Sequence, residues 1–185
     1  MSGGRLTLPV GERDHVAGPD SAPITLVEYG DYQCPSCGMA YPVVKAVQRQ
    51  LGDTLRFVFR NFPLGDLHPH AEVAAQMAEA AAAQGKFWEM HDVLFEHQDR
   101  LGDRELLRDG EALGLDVERM ARELDEGSYA KRVREDFRSG VVSGVNGTPT
   151  FFVNGERFDG DWSDSTEFSR SLRETAEATG AGAKR

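Results

Sequence analysis

Cysteine is almost absent from this chain, with only two among 185 residues. A structural zinc site needs four ligands, and no second pair of cysteines is there to complete one. No stretch approaches the ~20 consecutive apolar residues that span a bilayer, so we expect no membrane insertion. Bases are outnumbered as well: 21 Lys and Arg against 31 Asp and Glu give a net charge of −10. This acidity argues against nucleic acid and anionic membranes as partners.

The N-terminal segment, residues 1–7, lacks the apolar run of a secretory signal. On that ground we expect a cytoplasmic location for the chain as given, and an extracytoplasmic one if a signal has been trimmed. The two cysteines do not decide the compartment, because they are the expected active site rather than a structural staple. The length and the 39% of hydrophobic residues suit one globular domain, with or without an insertion.

Both cysteines stand in one motif, Cys34-Pro35-Ser36-Cys37. An apolar, β-branched run precedes the motif and an amphipathic run follows it, so the motif falls at a strand-to-helix junction. The first turn of a helix has unpaired N–H groups and a positive dipole end, which should lower the pKa of Cys34 below the usual ~8.5. Pro35 suits an early helical position, because it has no N–H to leave unpaired. A C-x-x-C in this context is typical of a thioredoxin-type redox site.

A zinc site or a structural disulfide would account for the cysteine pair less well. The motif could be half of a zinc site, but the candidate ligands lack finger-like spacing: His68, His70, His91 and His97. It could be a purely structural disulfide, but closing so short a loop removes little entropy from the unfolded chain.

The periodicity of apolar residues predicts the order β-α-β, then a helical block, then β-β-α. The predicted strands are 24–30, 55–62, 148–153 and 156–159, with an edge strand at 6–10. The predicted helices are 35–51, 71–83, 87–98, 103–113, 116–124, 128–142 and a last one capped by Asp164 or Ser165. Asn154-Gly155 predicts a hairpin turn. The predicted segments are a lead-in at 1–22, two halves of a sheet domain at 23–66 and 146–179, an inserted helical cap at 67–145, and a disordered tail at 180–185.

Three segments resemble the DsbA-like thiol–disulfide oxidoreductases of the thioredoxin superfamily. They are 27–37 with both cysteines, 87–91 in the helical block, and 147–155. The first and third together are specific, because both occur in the order and context that the fold requires. The chain is similar also to the thioredoxin-like domain fused behind some bacterial sodium/proton antiporters. The resemblance implies a thioredoxin-like α/β fold with an inserted helical cap.

The resemblance also implies a role for each site residue. Cys34 is the attacking sulfur and Cys37 the resolving one. Glu28 is a buried acid that relays a proton to or from Cys37, the alternative being a strand-end carboxylate that faces water. The Thr148–Pro149 peptide bond is cis, which lets the backbone of Thr148 pair with an extended substrate.

One position departs from the family pattern, since DsbA itself has a histidine where this chain has Ser36. A hydroxyl carries no charge, so we expect a less depressed Cys34 pKa and a less oxidising couple, with Pro35 and Ser36 as the residues that tune the thiolate. His68 and His70 are predicted to open the helical cap, and His91 to be packed. Four residues are predicted to add apolar surface near the cysteines: Tyr32, Met39, Phe62 and Phe152.

These features predict a thiol–disulfide oxidoreductase that needs no metal or organic cofactor. Its partners would be protein or peptide thiols and disulfides, together with a small-thiol or protein redox partner. One alternative is a redox-sensing module that acts on a partner such as a membrane transporter. Another is isomerase chemistry of the kappa glutathione transferase type, which the two cysteines argue against because that family lacks the pair. The direction of exchange depends on the reduction potential relative to the compartment.

Overall fold

The computed structural model describes residues 4–182. In this part of the chain it has five strands and seven α-helices. The strands are β1 (His15–Ala17), β2 (Ile24–Gly30), β3 (Leu55–Asn61), β4 (Thr150–Val153) and β5 (Glu156–Phe158). The helices are α1 (Pro35–Leu51), α2 (Ala71–Ala83), α3 (Phe87–Glu96), α4 (Asp103–Ala112), α5 (Val117–Asp125), α6 (Ala130–Val142) and α7 (Ser165–Gly182). None of these helices is both long enough and apolar enough to cross a membrane.

The strands form one mixed sheet in the order β1-β3-β2-β4-β5. β2 and β3 are neighbours joined by α1, which makes the predicted β-α-β unit. β1 pairs antiparallel with β3, and β4 lies antiparallel between β2 and β5. The β4–β5 turn has positive φ at both central residues, 49° at Asn154 and 85° at Gly155. This is the geometry that an Asn-Gly hairpin adopts, so the hairpin prediction is confirmed.

The chain folds as two compact units. The first contains nearly all of the sheet and comprises residues up to Tyr29, Met39–Arg60, and the chain from Ser139 onward. The second comprises Gly30–Gly38 and Asn61–Arg138, so it holds the cysteine motif as well as the helical block. In β2 and β3 all but one residue each are buried, and the buried residues include two charged side chains, Glu28 and Arg60.

The second unit is built around α2, the alanine-rich helix. Eight of its thirteen residues are buried, and six of the eight are alanine. Alanine is the best helix former and leaves little bulk, so α3, α4 and α5 all pack against this one helix. The predicted helical block is therefore confirmed.

Two terminal predictions are wrong. The edge strand lies at His15–Ala17 rather than at 6–10, because the carbonyl oxygens of Leu8 and Pro9 accept hydrogen bonds from Arg60 instead of pairing with a strand. The last helix continues through Gly182 instead of giving way to a tail at 180. Its final turns are held by Thr179, whose hydroxyl donates to the Ala176 carbonyl and accepts from a side chain of the hairpin. The rest of the predicted tail, 183–185, lies outside the described residues.

Candidate active site

The cysteine motif lies where the sequence predicts it, at the start of α1. Pro35 is the first residue of the helix and is exposed, and Ser36 is half-buried. The two cysteines differ in accessibility: Cys34 exposes 6% of its surface and Cys37 exposes 0%. Both cysteines are buried, but only the first keeps some surface that solvent can reach.

The side chain of Gln98 holds the backbone around Cys34. Its amide Nε2 donates to the carbonyl oxygen of Tyr32 at 2.8 Å and to that of Cys34 at 2.9 Å. The Cys34 carbonyl also accepts the helical hydrogen bond from Gly38 N at 3.0 Å. A Cβ added at Gly38 would lie 2.0 Å from Gln98 Oε1. The glycine that follows the motif thus leaves the space in which this amide lies.

The Asp31 carboxylate, 1% exposed, holds the same segment from another direction. Its Oδ1 accepts from the backbone N–H groups of Gln33 at 2.8 Å and Cys34 at 3.2 Å. Its Oδ2 accepts from Leu64 N at 2.9 Å and from His68 Nδ1 at 2.8 Å. A carboxylate has about four acceptor sites, so these four contacts use all of them. One side chain therefore ties the turn before α1 to the loop after β3.

Glu28, Thr148 and Pro149 lie in the first unit. Glu28 is on β2 and is 3% exposed, which rules out the alternative of a carboxylate that faces water. In the β2–β4 register it lies opposite Phe151. The Thr148–Pro149 peptide bond is cis, the isomer that the resemblance implies, and it comes just before β4. The register therefore keeps Glu28 and the proline at nearby positions of two paired strands.

The predicted apolar surface near the cysteines is mostly wrong. Only Met39 is exposed, at 62%, whereas Tyr32, Phe62 and Phe152 are exposed by 3% or less. Each of the three is buried against another ring, as their contacts with His91, Phe137 and Tyr29 show. His91 is itself 4% exposed and bonds to the Tyr32 hydroxyl at 3.0 Å, so its predicted packing role is confirmed.

Sequence reasoning missed two residues that hold the motif, Asp31 and Gln98, and gave His68 only a place at the start of the cap. Asp31 had a detectable signal: an aspartate a few residues before the start of a helix often accepts hydrogen bonds from the backbone ahead of it. Gln98 had none, because it is 64 residues from Cys34 in sequence.

A protein-family model described as Thioredoxin matches residues 11–173. Among curated proteins, the Na(+)/H(+) antiporter NhaA 3 of Salinispora tropica is 50% identical over 160 residues, which are 85% of this chain and 24% of that protein. NhaA 1 of Mycobacterium sp. (strain KMS) is 45% identical over 163 residues, 87% of this chain and 26% of that protein. This chain thus spans about a quarter of the length of these relatives.

Solved structures match almost the whole chain. Oxidised BdbD from Bacillus subtilis is 25% identical with a TM-score of 0.80, covering 95% of this chain and 98% of that one. A thioredoxin-like oxidoreductase from Silicibacter pomeroyi is 26% identical with a TM-score of 0.78, covering 91% and 94%. The α-DsbA1 of Wolbachia pipientis is 18% identical with a TM-score of 0.78 over 94% and 95%, which shows the shared fold.

Proposed function

The chain belongs to the thioredoxin family, and we propose that it is a thiol–disulfide oxidoreductase that exchanges disulfides with protein substrates. Its DsbA-like resemblance and its thioredoxin-like fold are both confirmed. The observation that carries the proposal is the unequal burial of two cysteines at the start of one helix, one just before its first residue and one in its first turn. The accessible Cys34 suits the attacking group, and the buried Cys37 suits the group that resolves the mixed disulfide.

In the reducing direction, the Cys34 thiolate attacks one sulfur of the substrate disulfide. A Cys34–substrate disulfide forms, and the other substrate sulfur leaves as a thiolate. Cys37 loses its proton and attacks the Cys34 sulfur, which forms the Cys34–Cys37 disulfide and expels the second substrate thiolate. Two electrons pass to the substrate, and its two thiolates take up the two protons that the cysteines lost. Oxidation of a substrate dithiol is the reverse of these steps.

The remaining site residues have proposed roles in these steps. Glu28 takes the proton from Cys37 as it attacks and returns it in the reverse direction. Its burial supports this role, because an apolar environment opposes a permanent charge on a carboxylate and favours proton exchange. The backbone of Thr148, beside Pro149, pairs with an extended substrate segment. If Glu28→Gln leaves the rate of mixed-disulfide resolution unchanged across neutral pH, the relay role is wrong.

Reduction of insulin with dithiothreitol or glutathione as the electron donor tests the enzyme proposal. Cys34→Ser should abolish turnover, because the attacking sulfur is lost. Cys37→Ser should trap the substrate as a mixed disulfide on Cys34, visible as a mass increase on the intact protein. Arg49→Ala, an exposed change on the same helix, is the control and should retain turnover. Undiminished turnover by Cys34→Ser would overturn the proposal.

The antiporter relatives favour a second candidate, a redox-sensing module whose dithiol state changes its docking to a membrane transporter. An enzyme turns over insulin, whereas a sensor changes its affinity for the transporter on oxidation without turnover.

The reduction potential of the Cys34–Cys37 pair separates an oxidant, near about −120 mV, from a reductase, near about −270 mV. The cytoplasmic location stays a prediction.

A further inference from the structure

The hydrogen bonds of Asp31 place a negative charge at the start of α1. The backbone N–H groups of Gln33 and Cys34 lie just ahead of that helix, next to its positive end, and both point at Asp31 Oδ1. A Cys34 thiolate would draw its stabilisation from the same positive end. The carboxylate is 1% exposed, so water and salt screen it little. It is therefore a buried carboxylate that bonds to the backbone N–H of the residue whose sulfur forms the catalytic anion.

The other carboxylate oxygen faces donors from the loop after β3. Leu64 N–H and His68 Nδ1 both donate to Oδ2, and the His68 side chain is 18% exposed. A hydrogen-bond donor at Oδ2 draws the negative charge of the Asp31 carboxylate away from Oδ1, the oxygen that faces the Cys34 backbone. Protonated or neutral, His68 acts with the same sign, because in both states a donor partly compensates the anion.

We propose that Asp31 and His68 form a positioning pair that sets the redox poise of the Cys34–Cys37 couple. Asp31 destabilises the Cys34 thiolate and so holds the couple less oxidising, and His68 moderates that effect. Both are positioning residues, because they act through the backbone of residues 33–34 and through their charge. This inference rests on the proposed function and extends it to what determines the direction of exchange.

The pair makes a prediction that a merely structural role does not. Asp31→Asn keeps an oxygen for the two amides and removes the charge, so the thiolate should gain stability. His68→Leu keeps the charge and removes one of its donors, so the thiolate should lose stability. The two variants should shift the couple in opposite directions, whereas general loosening of the turn would shift both the same way.

The test is equilibration with glutathione: Cys34–Cys37 disulfide plus two glutathione gives the dithiol plus glutathione disulfide. For Asp31→Asn we expect the equilibrium constant to rise about tenfold, which for two electrons is about 30 mV. For His68→Leu we expect it to fall by a measurable factor. Thiolate absorbance of the reduced proteins should show the Cys34 pKa falling in the first variant and rising in the second.

The control is Asp66→Asn, which neutralises an exposed carboxylate of the same loop and should leave the constant within about twofold. Asp31→Ser keeps a side-chain oxygen for the same amides and replaces Asp31→Asn if that variant does not fold. If the equilibrium constant shifts in the same direction in the Asp31 and His68 variants, the proposed pair is wrong. It is also wrong if the constant shifts in neither Asp31→Asn nor Asp31→Ser. The glutathione equilibration needs no protein substrate. If it gives such a result while the wild-type protein still turns over insulin, only the Asp31–His68 proposal is wrong and the proposed function stands.

Discussion

Changing Asp14 to asparagine should strongly destabilise the first unit, because Asp14 neutralises a buried arginine. Arg60 on β3 exposes 1% of its side chain. Its Nε and Nη2 each donate to the Asp14 carboxylate at 2.9 Å. Its Nη1 donates to the Tyr29 hydroxyl and the Leu8 carbonyl at 2.9 Å, and Nη2 also donates to the Pro9 carbonyl at 3.2 Å. These contacts use all five guanidinium N–H groups.

The magnitude follows from the charge that would be left behind. Burial alone would lower the pKa of Arg60, but hydrogen bonds to Asp14 and Tyr29 more than offset it and hold the pKa above its ordinary value. The guanidinium of Arg60 therefore stays charged inside the folded protein at any pH at which the protein is studied. Removing one partner of a buried ion pair costs about 3–5 kcal/mol, against about 5–15 kcal/mol for the whole free energy of unfolding.

Equilibrium urea unfolding of the wild type and Asp14→Asn measures this loss. The matched control is Asp20→Asn, which removes a carboxylate that is 96% exposed and 4.0 Å from Arg56. An exposed pair of this kind contributes about 0–1 kcal/mol. A loss below about 1 kcal/mol for Asp14→Asn, equal to that of the control, would refute the reasoning.

Three further predictions concern single contacts. Gly38→Ala should displace the Gln98 amide, because its Cβ would lie 2.0 Å from Oε1; each of Gly38→Ala and Gln98→Ala should cost about 1–2 kcal/mol. Both changes remove the same Gln98 hydrogen bonds, so the double variant should lose little more free energy of unfolding in urea than either single variant. Full additivity of the two losses would contradict this explanation. Gly18→Ala should lower the melting temperature and cost about 1–3 kcal/mol or more of stability. The φ of Gly18 is 102°, and an added Cβ would lie 2.1 Å from a β3 carbonyl oxygen. An unchanged melting temperature would contradict this prediction. Burial and the hydrogen bond to Glu123 raise the pKa of Tyr129 to about 12. The stability linked to this phenol is complete below its ordinary pKa of 10.0 and is lost as pH rises towards 12. The difference between the ultraviolet pH titrations of the wild type and Tyr129→Phe should show a phenol that ionises near pH 12. A midpoint at the ordinary pKa of 10.0 would exclude the shift.

Local signals predicted most of the fold, and they failed where a distant partner decides. The hairpin at 154–155 and the cysteine motif each depend on a few consecutive residues, and both predictions agree with the structure. β3 also looked regular, because its charged residues alternate with apolar ones as in a half-buried strand. Yet Arg60 is buried and only Arg56 is partly exposed. The difference lies in Asp14, which is 46 residues away and which no strand pattern can reveal.

The same limit applies to the candidate active site, and it changes how the motif should be interpreted. From sequence, the absence of histidine at Ser36 was the only argument for a less oxidising couple. The buried Asp31 charge acts in the same direction, but its effect depends on His68, which is 37 residues away. If the pair acts as proposed, the two residues between the cysteines do not determine the potential by themselves. A second protein with the same Pro35-Ser36 dipeptide and a neutral residue at the Asp31 position should then be the stronger oxidant.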